Sequence, residues 1–156
     1  MNLIKKLDVT KEKHAKDVLK LQIPAYRQEA ALIGDDRLPP LTDTVRSLQT
    51  CGETFYGFYR NGKLRGVISC KVKGGVLDLH RLFVSPSDFR QGIAQKLFDF
   101  VQKNESRMTK MTVATGANNK PAINFCENNG FVQVKEQDTA EGIRLICFEK
   151  KISSDE

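Results

Sequence analysis

The stretch between residues 53 and 84 restricts the fold more than any other part of the chain. It contains three segments rich in Val, Ile, Phe and Tyr, which read "ETFYGFYR", "KLRGVISCKV" and "VLDLHRLFV". These residue types are typical of strands. The pair Asn61-Gly62 joins the first two segments and favours a tight hairpin, and the pair Gly74-Gly75 joins the next two. The sequence therefore predicts three antiparallel strands in series.

Before this stretch the pattern is mainly helical. A first strand, "NLIKKLDV", precedes a helical stripe that begins near Thr10. Pro24 is predicted to interrupt this helix, so that "AYRQEAALIG" forms a second helical piece. A short helix in "TDTVRSLQTCG" is predicted to be capped by Thr42 or Asp43.

After residue 84 helical and strand segments alternate. The segments "GIAQKLFDFVQKN" and "NKPAINFCENNG" are helical, whereas "KMTVAT", "FVQVKEQ" and "IRLICFEKKI" are typical of strands. The strand, helix and strand between residues 77 and 115 predict a right-handed crossover between parallel strands. The whole order of elements predicts an α+β fold.

Length and composition set the class of protein. The chain has 156 residues, of which 40% are hydrophobic and 28% are charged, which predicts one domain with a real core. No apolar stretch approaches the length of a membrane span, and no long apolar segment follows the first lysines. We therefore expect no membrane association and no secretory signal, and a cytoplasmic location.

The net charge of +6 suits an anionic ligand or partner. The Lys and Arg residues are scattered, and no strand is rich enough in aromatic residues to stack bases, so no nucleic acid is expected as a partner. Four Cys and two His occur without a C-x-x-C pair, so no metal is expected. Cys51, Cys70 and Cys147 are interpreted as buried free thiols.

The segment "FRQGIAQKLF" places small residues at the start of a helix, behind a strand. A helix N-terminus leaves backbone N–H groups unpaired and attracts anions. Gly92 and Ala94 let a diphosphate approach the backbone, and Arg90 adds a positive charge. The pattern predicts a pyrophosphate site. The alternative is a simple loop with a glycine where the chain turns, which would have the same sequence pattern. The pattern is neither a Walker loop nor the three-glycine dinucleotide fingerprint.

Two motifs carry a more specific resemblance. The segment "RLFVSPSDFRQGIAQKLF", followed by "NNKPAINFCENNGF", resembles the GNAT superfamily of N-acetyltransferases. The resemblance implies a single GNAT-type domain over residues 1–152, followed by a polar tail at 153–156. The implied fold class of this domain is α+β (α/β-like). The resemblance further implies a mixed, mostly antiparallel central sheet of about seven strands flanked by about four helices. A homodimer is left open.

The resemblance also implies an activity and a set of residues. It implies acetyl-CoA as the donor and transfer of its acetyl group to a primary amine of a small molecule or peptide. The implied cofactor-binding residues are Leu82, Phe83, Val84, Arg90, Gln91, Gly92, Ile93, Ala94, Gln95 and Asn119. In this fold the backbone N–H near Val84 is the implied donor to the oxyanion.

Two positions depart from the family pattern. Phe89 stands where the family has Arg or Gln, with Arg90 next to it, and backbone contacts are expected to maintain cofactor binding. Cys126 stands where the family usually has the Tyr that protonates the departing thiolate. The Cys126 thiol is either the catalytic proton donor or a small apolar filler that leaves the proton to water.

Three further residues are candidates for acceptor chemistry. His80 shares a strand face with Asp78, Leu82 and Val84 and is a candidate catalytic base, or else a histidine hydrogen-bonded within the sheet. Tyr26 and Glu29 are candidate substrate-binding residues in the region that lines the acceptor cleft of this fold. They could equally be a core edge and a solvated face.

Three functions remain in competition. The first is an active amine acetyltransferase, and the alternative is an acyl-CoA-binding sensor or partner-binding module with little catalytic activity. A basic nucleic-acid binder is a third and weaker hypothesis. The acceptor is not specified by the sequence.

Overall fold

The computed structural model describes residues 1–35, 37–105 and 107–152. Seven strands form one mixed sheet in the order β1-β2-β3-β4-β5-β7-β6. The strands are β1 (Asn2–Leu7), β2 (Thr54–Arg60), β3 (Lys63–Lys73), β4 (Val76–Val84), β5 (Lys110–Gly116), β6 (Val132–Asp138) and β7 (Arg144–Lys151). The α-helices are α1 (Glu12–Ile33), α2 (Val45–Thr50), α3 (Ile93–Asn104) and α4 (Lys120–Asn128). The predicted fold class is confirmed.

The chain divides into two compact units. The first comprises Met1–Cys70 with Arg81–Ser106, and the second comprises Lys71–His80 with Arg107–Glu156. Strands β3 and β4 each contribute residues to both units. The predicted tail at 153–156 lies outside the described residues.

The first unit is built around α1 and the β1-β2-β3 part of the sheet. Strands β1 and β2 pair antiparallel, as do β2 and β3, so the predicted hairpin is confirmed. Asn61 and Gly62 form its turn with φ values of 52° and 80°, the left-handed conformations that such a turn requires. The core of this unit includes Leu48, Phe55 and Val67, all with no exposed surface.

Helix α1 runs without a break through Pro24, so the prediction of two helical pieces is wrong. A proline inside a helix costs about 3 kcal/mol because it removes one hydrogen bond. Gln22, Ala25 and Tyr26 surround it and are all buried. Burial of this face of α1 offsets the cost of the proline. The local sequence pattern alone does not reveal this burial.

The cap of α2 also differs from the prediction of Thr42 or Asp43. The N-cap is Thr44, whose hydroxyl accepts the Ser47 N–H at 3.1 Å, while the Ser47 hydroxyl accepts the Thr44 N–H at 2.8 Å. This reciprocal capping box satisfies two backbone donors at once. Asp43 is thereby left for other partners.

The second unit contains the parallel pair of strands, β4 and β5. Strand β4 pairs parallel with β5 from Val76 opposite Lys110 to Leu79 opposite Val113, which confirms the predicted parallel pair. Strand β7 pairs antiparallel with both β5 and β6. The ladder with β5 ends at Leu79, five residues before β4 itself ends.

Within the described part of the chain, no helix is both long enough and apolar enough to cross a membrane.

Candidate functional site

The connection from β4 to α3 is a tight turn that ends in an open helix N-terminus. A 3₁₀ turn at Pro86–Asp88 follows β4, and α3 begins at Ile93 with Gly92 as its N-cap. Gly92 has a φ of 76°, and no side chain caps the helix. A Cβ placed on Gly92 would meet no atom within 4 Å. No side chain caps the first N–H groups of α3, and the Cβ position of the preceding glycine is open, which suits an anion site.

Most side chains around this N-terminus are buried or hydrogen-bonded within the protein. Ile93 is 1% exposed and belongs to the core, so only its backbone can contact a ligand. The Gln95 amide donates to Asp99 at 2.9 Å, and the Gln91 side-chain oxygen accepts from Arg60. Arg90 is exposed, with a φ of 64°. The turn thus has backbone N–H groups and the exposed Arg90 available to a ligand, and the predicted role of these residues in binding the cofactor stays a prediction.

A buried carboxylate holds this turn in place. Asp88 is 8% exposed and accepts hydrogen bonds from Arg65 of β3 and Arg60 of β2. The Arg65 guanidinium also donates to the Ser85 and Ser87 hydroxyls. Because β2 and β3 are paired strands of the sheet, these contacts anchor the backbone that leads into Gly92. The sequence analysis missed this cluster, since its members lie 23 and 28 residues apart.

The end of β4 presents backbone N–H groups in a defined direction. The Ser85 N–H donates to the Arg65 carbonyl of β3 at 2.7 Å. Backbone N–H groups alternate along a strand, so those of Leu82 and Val84 are directed away from β3. Phe83 and Val84 are 6% and 8% exposed. This end of β4 can therefore donate hydrogen bonds from its outer edge.

Arg81 is the centre of a second buried cluster in the first unit. Its guanidinium donates to both carboxylate oxygens of Glu53, at 2.9 and 3.2 Å, and to Asp43. It also donates to the Gln22 side-chain oxygen at 3.1 Å. Ser69 completes the cluster by donating to Glu53 at 2.6 Å. These contacts indicate that Arg81 stabilises the structure of the first unit.

Tyr26 and Glu29 lie on α1. The Tyr26 side chain belongs to the core of the first unit, and its ring centroid lies 5.5 Å from that of Phe83. Burial and the nearby Glu29 carboxylate raise the pKa of Tyr26, so its hydroxyl keeps its proton. Glu29 is half-buried. Their predicted role in substrate binding stays a prediction.

His80 and Asp78 are adjacent on one face of β4 in the second unit. The Nε2 atom of His80 lies 3.2 Å from Oδ2 of Asp78, as the two-residue period of a strand predicts. The other oxygen of Asp78 accepts from the Thr112 hydroxyl at 2.7 Å. His80 is exposed at the surface of the chain. A carboxylate that orients an exposed imidazole suits a base, but this role stays a prediction.

Asn119 is the N-cap of α4. Its side-chain oxygen accepts the Ala122 N–H at 3.2 Å, and the residue is 6% exposed. The structure therefore shows the capping role directly. Contact with the cofactor stays a prediction.

Asn119→Ala is expected to lower the free energy of unfolding by about 1 kcal/mol, because it removes the cap of α4. Urea denaturation would measure this loss. Asn119→Asp is the matched control, since it keeps an oxygen acceptor and should retain most of the stability. Equal stability of Asn119→Ala and the parent would contradict the capping role.

Cys126 is buried on α4, with 4% of its surface exposed. Burial raises the pKa of its thiol to about 11, and the Glu127 carboxylate adds to the rise. An ordinary thiol has a pKa of about 8.5, so protonating a departing thiolate from Cys126 would be uphill by about 3 kcal/mol. These properties favour the filler interpretation over the acid.

All four cysteines are free thiols, of which Cys70 and Cys126 are buried and Cys51 and Cys147 are half-buried. Among residues 1–35, 37–105 and 107–152, no group of three or more His, Cys, Asp or Glu side chains is placed to hold a metal ion.

The comparisons with known proteins agree with this geometry. The acetyltransferase (GNAT) domain family matches residues 24–152, and the chain belongs to this family. It is 38% identical, over 134 residues, to the UPF0157 protein YqkA of Bacillus subtilis. The matched region is 86% of this chain but 39% of that protein, so the chain spans about two fifths of the curated relative.

Solved structures share the fold at low sequence identity. The ribosomal-protein-S18-alanine N-acetyltransferase of Escherichia coli superposes with a TM-score of 0.78 at 18% identity, covering 98% of this chain and 95% of that one. The PaiA N-acetyltransferase of Thermoplasma acidophilum, in complex with coenzyme A, has a TM-score of 0.73 at 20% identity and coverages of 97% and 99%. An aminoglycoside 6′-N-acetyltransferase complexed with coenzyme A has a TM-score of 0.72 at 15% identity, with 96% of each chain covered. These similarities establish the fold.

Proposed function

We propose that this GNAT acetyltransferase is an acetyl-CoA-dependent N-acetyltransferase that acts on a primary amine of a small molecule or peptide. The observation that carries the proposal is the N-terminus of α3, which no side chain caps and where the Cβ position of Gly92 is open. Residues 90–95 would bind the diphosphate of CoA, with Arg90 as the charged contact. The neighbouring end of β4, Leu82–Val84, would bind the pantetheine arm through its backbone.

The reaction needs three kinds of group. The amine must be neutral when it attacks the thioester carbon, the carbonyl oxygen must be stabilised as it gains negative charge, and the thiolate must receive a proton. The outward N–H groups of β4 suit the second need. His80, oriented by Asp78 at 3.2 Å, is the candidate to take the proton of the amine. Cys126 is not needed as an acid, since water can protonate a thiolate.

The alternative is an acyl-CoA-binding sensor or partner-binding module with little catalytic activity. The observation in its favour is Cys126, a buried thiol at the position where the family pattern has a phenol. A cytoplasmic location stays a prediction of the sequence, and a homodimer stays open.

Calorimetry with CoA, together with CoA-thiol release from acetyl-CoA across a panel of amines, separates these functions. We expect binding, and thiol release with at least one class of amine, whose acetylated product is identified by mass. Binding without release for any amine would support the sensor. Absence of binding would contradict both.

Cys126→Ala is expected to change the acetyl-transfer rate by less than about fivefold, because the thiol acts as a filler. A true general acid is worth about 100- to 10,000-fold, so the two roles are well separated. Steady-state kinetics on the best amine would measure the effect, with the buried Cys70→Ala as the control for loss of a thiol. A loss of about 100-fold at unchanged melting temperature would identify Cys126 as the proton donor.

A further inference from the structure

The turn between β4 and α3 contains both buried residues that contact the sheet and residues that face solvent. Ser85 and Asp88 are 7% and 8% exposed. Phe89, Arg90 and Gly92 are exposed to solvent. The exposed residues lie directly before the helix N-terminus to which the proposed function assigns the diphosphate. The buried residues can therefore shape the turn without touching a ligand there.

Arg65 of β3 connects three residues of the turn to the sheet. Its guanidinium forms an ion pair with the Asp88 carboxylate. It also donates to the Ser85 and Ser87 hydroxyls, at 3.2 and 2.5 Å. The backbone adds to this contact, because the Ser85 N–H donates to the Arg65 carbonyl and the Asp88 N–H donates to the Ser85 carbonyl, at 2.7 and 2.8 Å. One arginine thus fixes the first half of the turn.

Arg60 of β2 extends the same cluster towards the helix. Its guanidinium lies 3.5 Å from the second oxygen of Asp88, so this carboxylate is shared by two arginines. Arg60 also donates to the side-chain oxygen of Gln91 at 2.5 Å. Gln91 immediately precedes Gly92, the N-cap of α3. The contacts with the sheet therefore reach the last residue before the helix.

The turn needs these contacts because its backbone conformation is unfavourable. Arg90 has a φ of 64° and Gly92 has a φ of 76°. A residue other than glycine is uncommon in this left-handed region, and such a conformation persists only where its surroundings fix it. Arg90 lies between Asp88 and Gln91, both of which are bonded to arginines of the sheet.

We propose that Asp88, held by Arg65 and Arg60, is a positioning residue that shapes the turn for the diphosphate of CoA before the ligand binds. This inference rests on the proposed function and adds to it residues that do not touch the cofactor. A site that is already ordered spares the ligand the cost of ordering it. Fixing the backbone of one residue on binding corresponds to about a five- to thirtyfold loss of affinity.

Asp88→Asn tests the proposal because charge and position predict opposite results. Removal of a negative charge close to an anion site strengthens the binding of an anion by Coulomb attraction alone. Loss of the ion pairs that hold the turn weakens binding instead. We expect the dissociation constant of CoA, measured by isothermal calorimetry, to rise at least tenfold. An unchanged or lower dissociation constant would overturn the proposal.

Two further variants separate positioning from general damage. Asp43→Asn removes another carboxylate that is bonded to an arginine in the same unit, and it should keep the parental dissociation constant for CoA. Arg65→Lys keeps the positive charge beside Asp88, but one ammonium cannot reproduce the planar fork of a guanidinium. We expect it to weaken CoA binding at least threefold. If Asp88→Asn does not fold, Arg65→Lys decides alone, and parental affinity in that variant would overturn the proposal.

A donor without a diphosphate shows whether the effect is confined to the turn. S-acetylpantetheine carries the same thioester as acetyl-CoA but lacks the diphosphate and the nucleotide. Asp88→Asn should lower kcat/KM for acetyl-CoA at least tenfold, through KM, and should change kcat/KM for S-acetylpantetheine less than twofold. Equal losses with both donors would overturn the inference. Failure of the parent to bind CoA would instead remove the proposed function, and the inference with it.

Hydrogen exchange tests the shape of the turn without any ligand. The Lys96 N–H donates to the Gly92 carbonyl at 3.0 Å, so its exchange rate reports on the start of α3. In Asp88→Asn this rate should rise at least tenfold more than that of Phe98, in the middle of the same helix. Equal changes at Lys96 and Phe98, or no change at either, would overturn the inference while leaving the proposed function intact.

Discussion

Gly92→Asp is expected to weaken the binding of CoA by at least about 100-fold. The substitution places a carboxylate at the N-cap of α3, where the diphosphate is proposed to lie. Two unit charges 4 Å apart repel by about 4 kcal/mol at an effective dielectric constant of about 20, and 1.4 kcal/mol is a factor of ten in affinity. The φ of 76° at Gly92 adds backbone strain for most side chains. Isothermal calorimetry with CoA would measure the change.

Gly92→Asn is the matched control for this variant. Asn has nearly the same size as Asp, tolerates a left-handed backbone better than most residues, and carries no charge. The site has room for either side chain, since a Cβ there meets no atom within 4 Å. We expect Gly92→Asn to bind CoA within about tenfold of the parent. Equal affinity of Gly92→Asp and the parent would place the diphosphate elsewhere.

The turn into α3 could be predicted from the sequence because its determinants are local. A glycine with a left-handed backbone, a small residue two positions later and an amphipathic run after them define an uncapped helix start within a few residues. The Asn61-Gly62 hairpin and the parallel step to β5 followed from equally local patterns. Such features need no knowledge of how distant segments pack.

Local reasoning failed where packing between distant segments decides the outcome. Pro24 lies inside α1 because burial of its neighbours outweighs its own preference. The ring of Tyr26 lies 5.5 Å from that of Phe83, which is distant along the chain, and no spacing in the sequence indicates this contact. Arg81 and Asp43 are 38 residues apart, and Arg65 and Asp88 are 23 apart. Buried ion pairs of this kind become visible only when the fold brings their partners together.

Arg81→Met is expected to lower the free energy of unfolding at pH 7 by about 3–5 kcal/mol, because removing one partner of a buried ion pair leaves uncompensated charge. The side chains of Arg81 and Glu53 are 10% and 6% exposed, so solvent screens them little. The variant would keep two carboxylates, Asp43 and Glu53, facing a methionine. Urea denaturation followed by circular dichroism would measure the loss.

The same variant should lose less stability in acid. Burial by itself raises the pKa of Asp43, but hydrogen bonds from Ser47, Arg81 and Gln22 outweigh it and hold the pKa below its usual value. In the parent this lowered pKa contributes stability above the unfolded value near 3.8, and the contribution is lost as the pH falls through the folded value. Without Arg81 the carboxyls protonate more easily, which relieves their repulsion. The difference between variant and parent should therefore be smaller at pH 4.5 than at pH 7.

The charge-neutral combination of Arg81→Met with Asp43→Asn and Glu53→Gln separates buried charge from packing. If unpaired carboxylates cause the loss, this triple variant recovers most of the parental stability at pH 7, because no ionised group remains in the cluster. Its stability should also vary less between pH 4.5 and pH 7 than that of Arg81→Met. A triple variant as unstable as Arg81→Met would assign the loss to the packing of the Arg81 stem on Phe55, whose ring centroid lies 5.6 Å from the guanidinium carbon. The ion pairs would then contribute little, and the register between α1 and β4 would depend on shape instead of charge.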